Sequence, residues 1–162
     1  MKINKRLRLY LDDVRTPVAK DWIVVRNYDD FVTQIKLHGL ESFEMISLDH
    51  DLGESAMVEY YTNVKNNYKL DYTNIEEKTG MDCCRFLISE SMVQNIPLPQ
   101  VYVHSANPIG AANMIGYINN YLKNCKMELS CMMVKIEHTV DEAFFLSPEA
   151  RKEKWDRNKD NE

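Results

Sequence analysis

The chain has 162 residues, 44% of them hydrophobic, and a formal net charge of −5. That length and apolar content suit one domain with a core of ordinary size. The acidic balance excludes a protein that coats nucleic acid along its length, which would be basic, and no apolar run approaches the roughly 20 residues that span a bilayer.

The amino terminus is locally basic, with Lys2, Lys5, Arg6 and Arg8, read as solvated charge beside the first strand. No long apolar stretch follows it, so no signal peptide is expected. Arg8 to Leu11 is a short apolar strand that runs into Asp12-Asp13. Pro17 blocks an immediate helix, because it restricts the residue before it and lacks an N–H. Trp22 to Arg26 reads as a second strand. Asp29 or Asp30 opens the helix that follows, with Tyr28, Phe31, Val32 and Ile35 on one face and Gly39 at its end. Glu44 to Leu48 is the third strand, and it runs into Asp49-His50-Asp51.

Gly53 to Lys78 shows no clean periodicity and reads as a functional or mobile loop. Its tyrosines, Tyr60, Tyr61, Tyr68 and Tyr72, either stack on a base or pack the loop onto the domain. Thr79-Gly80-Met81-Asp82 is similar to a capping box with Asp in place of Glu. Met81, Cys84, Leu87, Ile88 and Met92 then recur at helical spacing. Pro97 and Pro99 close that helix before the fourth strand, Val101 to His104. Asn107-Pro108 starts the next helix, with Asn at the N-cap and Pro in the first turn, and Ala111, Met114, Ile115, Ile118 and Leu122 form its apolar face. Met132 to Ile136 is a fifth strand. After Ser147-Pro148 the chain is densely charged, with Trp155 as its large apolar residue.

Alternation of strands and helices implies a largely parallel sheet covered on both faces. The expected architecture is α/β: a flavodoxin-like three-layer sandwich on a five-stranded, mainly parallel sheet of order 2-1-3-4-5, whose ligand crevice lies between strands one and three. The cysteines, Cys83, Cys84, Cys125 and Cys131, form no CxxC pair and match no zinc spacing. Buried free cysteines suit a reducing cytoplasm. The Asn- and Lys-rich, Gly-poor composition suits an AT-rich bacterial or phage genome.

The crevice collects the chemistry. Asp12, Asp13, Asp49 and Asp51 lie at the ends of two strands, where converging carboxylates repel and raise each other's pKa. A divalent cation keeps such a group ionised, and an all-oxygen donor set favours Mg2+ or Mn2+. Asp12, Asp13 and Asp49 are the candidate ligands. Asp51 either orients His50 or belongs to a turn. His50 and His104 are candidate general acid and base, since histidine titrates near neutral pH. Arg15 either clamps a phosphate or pairs with Asp12 or Asp13. Ser105 is a candidate for a phosphoryl oxygen, and Asn107 for the ligand, although its capping role already explains it. The helix beginning at Pro108 aims its amino end at the same crevice. His38 and His138 read as structural or solvated.

Four blocks carry a resemblance: Leu-Asp-Asp-x-Arg-x-Pro at Leu11 to Pro17, Ser-Leu-Asp-His-Asp-Leu-Gly at Ser47 to Gly53, Thr79-Gly80, and Val-His-Ser-x-Asn-Pro-x-Gly at Val103 to Gly110. From about Leu7 to about Tyr121 the chain resembles the cyclic-phosphate-processing receiver-like domains. The resemblance implies a receiver-type fold and a role on cyclic phosphates. The expected domain covers 1–146 with a loop insertion at 53–78, and 147–162 form a charged tail. Asp12, Asp13 and Asp49 also fall on the acid positions of response-regulator receivers. Three departures speak against a phosphorelay switch. His50 and Asp51 follow the would-be phosphoacceptor, His104 precedes Ser105, and no Lys-Pro pair follows strand five, where Lys135 precedes Ile136-Glu137.

The leading expectation is a metal-dependent phosphodiesterase that opens a cyclic phosphate on a small nucleotide or at an RNA end. The alternatives are a non-catalytic module that sequesters a cyclic nucleotide, and a phosphoacceptor receiver using Asp49. Oligomeric state stays open, and no membrane partner is expected.

Overall fold

A computed structural model of the chain describes residues 6–140. In chain order the elements are β1 (Leu7–Leu11), β2 (Arg15–Pro17), β3 (Trp22–Val25), α1 (Tyr28–His38), β4 (Phe43–Leu48), α2 (Glu54–Glu59), α3 (Lys65–Asn67), α4 (Gly80–Gln94), β5 (Gln100–Val103), α5 (Pro108–Asn124), β6 (Met132–Met133) and β7 (His138–Val140). The main sheet is parallel with order β3-β1-β4-β5-β6. Numbered by its own strands, that is 2-1-3-4-5, the flavodoxin-like receiver fold.

The register explains the core. Leu9, Ile46 and Val101 lie side by side across β1, β4 and β5, as do Leu11, Leu48 and Val103. Strand side chains alternate between faces, so both rows point to one side of the sheet. They form one core with Phe31 and Ile35 of α1, Cys84 and Leu87 of α4, and Met114 and Ile118 of α5. Each such buried side chain contributes about 1.5–3 kcal/mol relative to exposure. All three long helices lie on this face.

The helix starts follow local hydrogen bonding. Asn27, not Asp29 or Asp30, caps α1: its side chain accepts from the Asp30 N–H at 2.8 Å. Asn27 lies one residue before the apolar face begins, which is why the acids behind it drew the reading. Gly39 ends the helix at φ +84°, a region that favours glycine. Thr79 and Asp82 form the expected capping box at the start of α4. Along α4, Cys83 and Cys84 are both buried, whereas Met92 is 65% exposed and lies off the core face.

Three segments differ from the sequence reading. First, 53–78 is largely helical: α2 runs through a π turn at Tyr60–Val64 into α3, and a short 3-10 turn follows at Tyr72–Asn74. Carboxylates fasten it. Glu77 accepts from the Ala56 N–H at 2.8 Å and from the Ser55 hydroxyl. Glu59 accepts from Asn63 and Asn74 side chains and from the Asp71 N–H. Second, β6 is two residues long rather than reaching Ile136, and Met132 and Met133 are half exposed at the sheet edge. Third, β2 and β7 form a small antiparallel ribbon, Arg15 opposite Val140 and Pro17 opposite His138. A proline is tolerated at such an edge because its missing N–H breaks no ladder bond. The 147–162 tail and Trp155 lie outside the described residues. Among the described residues no helix is long and apolar enough to cross a membrane.

Candidate metal centre

The parallel ladder continues past the strand ends and sets the site. The Asp12 N–H donates to Val25 O at 3.1 Å, that of Asp49 to Leu11 O at 3.0 Å, and that of His104 to Leu48 O at 3.0 Å. Three polar residues therefore begin their loops on a fixed backbone at the carboxyl edge of the sheet. One carboxylate oxygen from each of Asp12, Asp13 and Asp49 lies within 4.8 Å of the other two, and all three residues are buried.

Asp12 is held from four sides. Its Oδ1 accepts from the N–H groups of Val14 at 3.0 Å and Arg15 at 2.7 Å. Its Oδ2 accepts from Arg15 Nε at 2.6 Å and His104 Nε2 at 3.2 Å. Burial opposes its charge, but the His104 hydrogen bond and the Arg15 guanidinium prevail and hold Asp12 below its ordinary value. Asp13 and Asp49 move the other way. Burial, and then the charge on Asp12, pushes both well above the carboxylate range. Arg15 Nη2 reaches Asp49 Oδ1 at 3.3 Å and offsets only part of that.

Burial lowers the His104 pKa more than Asp12 raises it, which favours the neutral ring. Its Nε2–H then donates to Asp12, which leaves Nδ1 to accept from the Ser47 hydroxyl at 2.7 Å. The ring stacks on Tyr10, centroids 4.3 Å apart and planes 7° from parallel.

The family model for cyclic-phosphate processing receiver domains matches residues 7–120. The chain belongs to this family. No curated protein and no solved structure matches it.

This cyclic-phosphate processing receiver domain fits a divalent cation on the chemistry of its donors. Three buried carboxylates converge and one guanidinium faces them, so the charge is unbalanced in a site shielded from water. Hard oxygen donors at this density are the set Mg2+ or Mn2+ takes.

The remaining expected residues form a second network beside the first. His50 is fully buried; its Nδ1–H donates to Asp51 Oδ1 at 2.6 Å, and its Nε2 accepts from the Tyr72 hydroxyl at 2.9 Å. Asp51 also accepts from Asn107 Nδ2 at 3.2 Å. It is engaged by His50 and Asn107 and does not join the ligand cluster, so three carboxylates converge rather than four, although its charge still raises Asp13 and Asp49. Asn107 Oδ1 caps α5 by accepting from the Gly110 N–H at 2.9 Å, and Ser105 Oγ accepts from the Asn107 N–H at 3.1 Å. Arg15 keeps contact with solvent, at 19% side-chain exposure. It makes the ion pair with Asp12 that the sequence left as one of two options.

Several contributors were not singled out from the sequence. Arg26 braces the loop after β1, donating through Nη1 to the carbonyls of Asp12 (3.1 Å) and Arg15 (2.6 Å) and through Nη2 to Thr16 Oγ1 (2.6 Å). Gly80 and Gly110 admit the site. A Cβ on Gly80 would lie 2.0 Å from the Asp49 carbonyl oxygen, and one on Gly110 would lie 2.4 Å from the His50 ring. Both glycines stand in the motif blocks, and close backbone approach is the signal they carried.

Proposed function

We propose that this domain is a metal-dependent phosphodiesterase that hydrolyses a cyclic phosphate on a nucleotide or an RNA end. The observation that carries the reading is the convergence of Asp12, Asp13 and Asp49 beside Arg15 at the carboxyl edge of the sheet. An anionic phosphate cannot approach three carboxylates unless a cation offsets them. A divalent cation held by these acids would supply polarisation of the phosphoryl group and a lowered pKa for a bound water.

Water adds to phosphorus, one ribose P–O bond breaks, and the ribose oxygen takes up a proton, leaving a phosphomonoester. Arg15 orients the phosphoryl oxygens and stabilises their growing charge. His104 positions Asp12, since its Nε2 donates to that carboxylate while Ser47 holds its Nδ1. His50 serves as the proton carrier: the Tyr72 hydroxyl connects it outward, and Asp51 fixes its ring through Nδ1.

The burial of both histidines favours a second reading, a module that binds the cyclic phosphate and releases it intact. Phosphorus NMR separates the two. The protein is incubated with Mg2+ or Mn2+ and a panel of cyclic mononucleotides, cyclic oligonucleotides and RNA ending in a 2′,3′-cyclic phosphate. A monoester signal that vanishes with EDTA and in Asp49→Asn supports hydrolysis. Broadening of one ligand's signal without a new product moves the reading to sequestration.

A further inference from the structure

A groove of about 520 Å³ lies between α4 and α5, with Tyr72 in its lining. Met81 and Arg85 line it from α4, and Asn113, Gly116, Tyr117 and Asn120 from α5. The α5 residues recur at helical spacing and form one stripe.

Gly116 is the informative position. It sits in the middle of a 17-residue helix, where glycine is the poorest helix former after proline. Gly80 and Gly110 are explained by neighbouring atoms that a side chain would strike. Nothing lies within 4 Å of a Cβ built on Gly116. The protein's own packing therefore does not require glycine there, and the position leaves room for a molecule to lie along the helix backbone.

The chemistry of the lining selects that molecule. Tyr72 and Tyr117 bring aromatic rings to the lining, and Asn113 and Asn120 bring amides that both donate and accept. This combination suits a planar, hydrogen-bonding heterocycle. Arg85 adds a cation whose pairing with Asp82, at 3.4 Å, is long. A hydrogen-bonded chain links the groove to the acid cluster. The Tyr72 hydroxyl accepts from Asn113 Nδ2 at 3.2 Å and donates to His50 Nε2, and the His50 N–H donates to Asp49 Oδ1 at 2.8 Å.

We infer that the α4–α5 groove is a nucleobase subsite, so that the substrate is a base-bearing cyclic phosphate whose phosphate sits at Asp12, Asp13 and Asp49. This deepens the reading given above and rests on it for the placement of the phosphate.

The test uses Gly116→Leu, whose side chain enters the groove on a better helix former. Isotope-labelled protein with Mg2+ is titrated with the four nucleoside 2′,3′-cyclic phosphates and with base-free ribose 2,3-cyclic phosphate, and turnover is followed in parallel. The nucleotides should shift the amides of Asn113, Gly116 and Tyr117, and the base-free compound should not. Gly116→Leu should raise KM or Kd for the preferred nucleotide at least tenfold and abolish its preference over the base-free compound. The inference is overturned if groove amides stay still while those near Asp49 move, or if Gly116→Leu keeps the wild-type preference. Groove shifts with no monoester formed support the subsite and overturn hydrolysis instead.

Discussion

His104 Nε2 and Asp12 Oδ2 meet at 3.2 Å, both buried, and join the ends of β5 and β1. The contact fixes the orientation of a candidate metal ligand through a residue on a different strand. Partners of this type tune metal sites as strongly as some ligands do. His104→Ala should therefore weaken Mn2+ binding by about 10–100-fold. It should also cost roughly 2–4 kcal/mol of stability by opening a cavity beside Tyr10. Calorimetric titration and urea unfolding measure the two effects, and unchanged metal affinity in a folded variant would remove the positioning role.

The carboxylates predict how metal and pH act together. Asp13 and Asp49 have folded values raised above the ordinary one, by burial and then by Asp12. Their contribution is full below the unfolded value and is lost as pH rises through the folded values. Asp12 has the opposite sign, since its stabilisation is lost as pH falls through its lowered value. His104, lowered by burial, withdraws stability as pH falls below the ordinary 6.5. A cation acts on the acids only in their ionised form. The rise in Tm on replacing EDTA with Mn2+ should thus grow between pH 5 and pH 8. Asp49→Asn removes one repelling charge and one ligand. It should match or exceed wild-type Tm in EDTA at pH 8, and show little further rise with metal. A metal increment in the variant equal to wild type at both pH values would sink the site.

The placement of the acids was legible in the sequence because the strands advertise themselves. Leu9 and Leu11, and Ile46 and Leu48, alternate with polar or aromatic neighbours, and the aspartates follow at once. The helical character of 53–78 was not legible. Its buried residues include Ala56, Glu59 and Val64, and its fastenings are carboxylates up to 22 residues away. Apolar periodicity cannot reveal a helix held by polar contacts of that range. The ribbon that pairs Arg15 with Val140 has no local signal for the same reason. His50 and His104 follow the ends of β4 and β5. Their inward orientation depends on Ser47, Tyr72 and the close approach of Gly110, which only the assembled fold brings together.

Two glycines should respond in opposite directions to the same substitution. Gly80→Ala puts a methyl group 2.0 Å from the Asp49 carbonyl oxygen, so backbone must shift at the metal centre. A loss of about 1–3 kcal/mol is expected, together with weaker metal binding. Gly116→Ala meets nothing within 4 Å and should gain up to about 1 kcal/mol through helix propensity. Urea midpoints of the two variants decide the matter. A neutral Gly80→Ala would mean that α4 does not press on Asp49 as closely as the geometry requires.

Glu59 tests whether the 53–78 segment holds Tyr72 in place. Its side chain is buried and accepts from Asn63, Asn74 and the Asp71 N–H, tying α2 to the turn that carries Tyr72. Burial raises its pKa, but these hydrogen bonds outweigh that and keep it lowered and the group charged. Glu59→Ala leaves three donors to find water, at a cost of about 1–3 kcal/mol. The damage should be local, since α2 and α3 contribute nothing to the main core cluster. Amide exchange should therefore accelerate across 60–75 while β1, β4 and β5 stay protected. Tyr72 would then lose its fixed contact with His50, and turnover should fall with little change in metal affinity. Equal acceleration of exchange throughout the sheet would show that the segment and the core unfold as one unit.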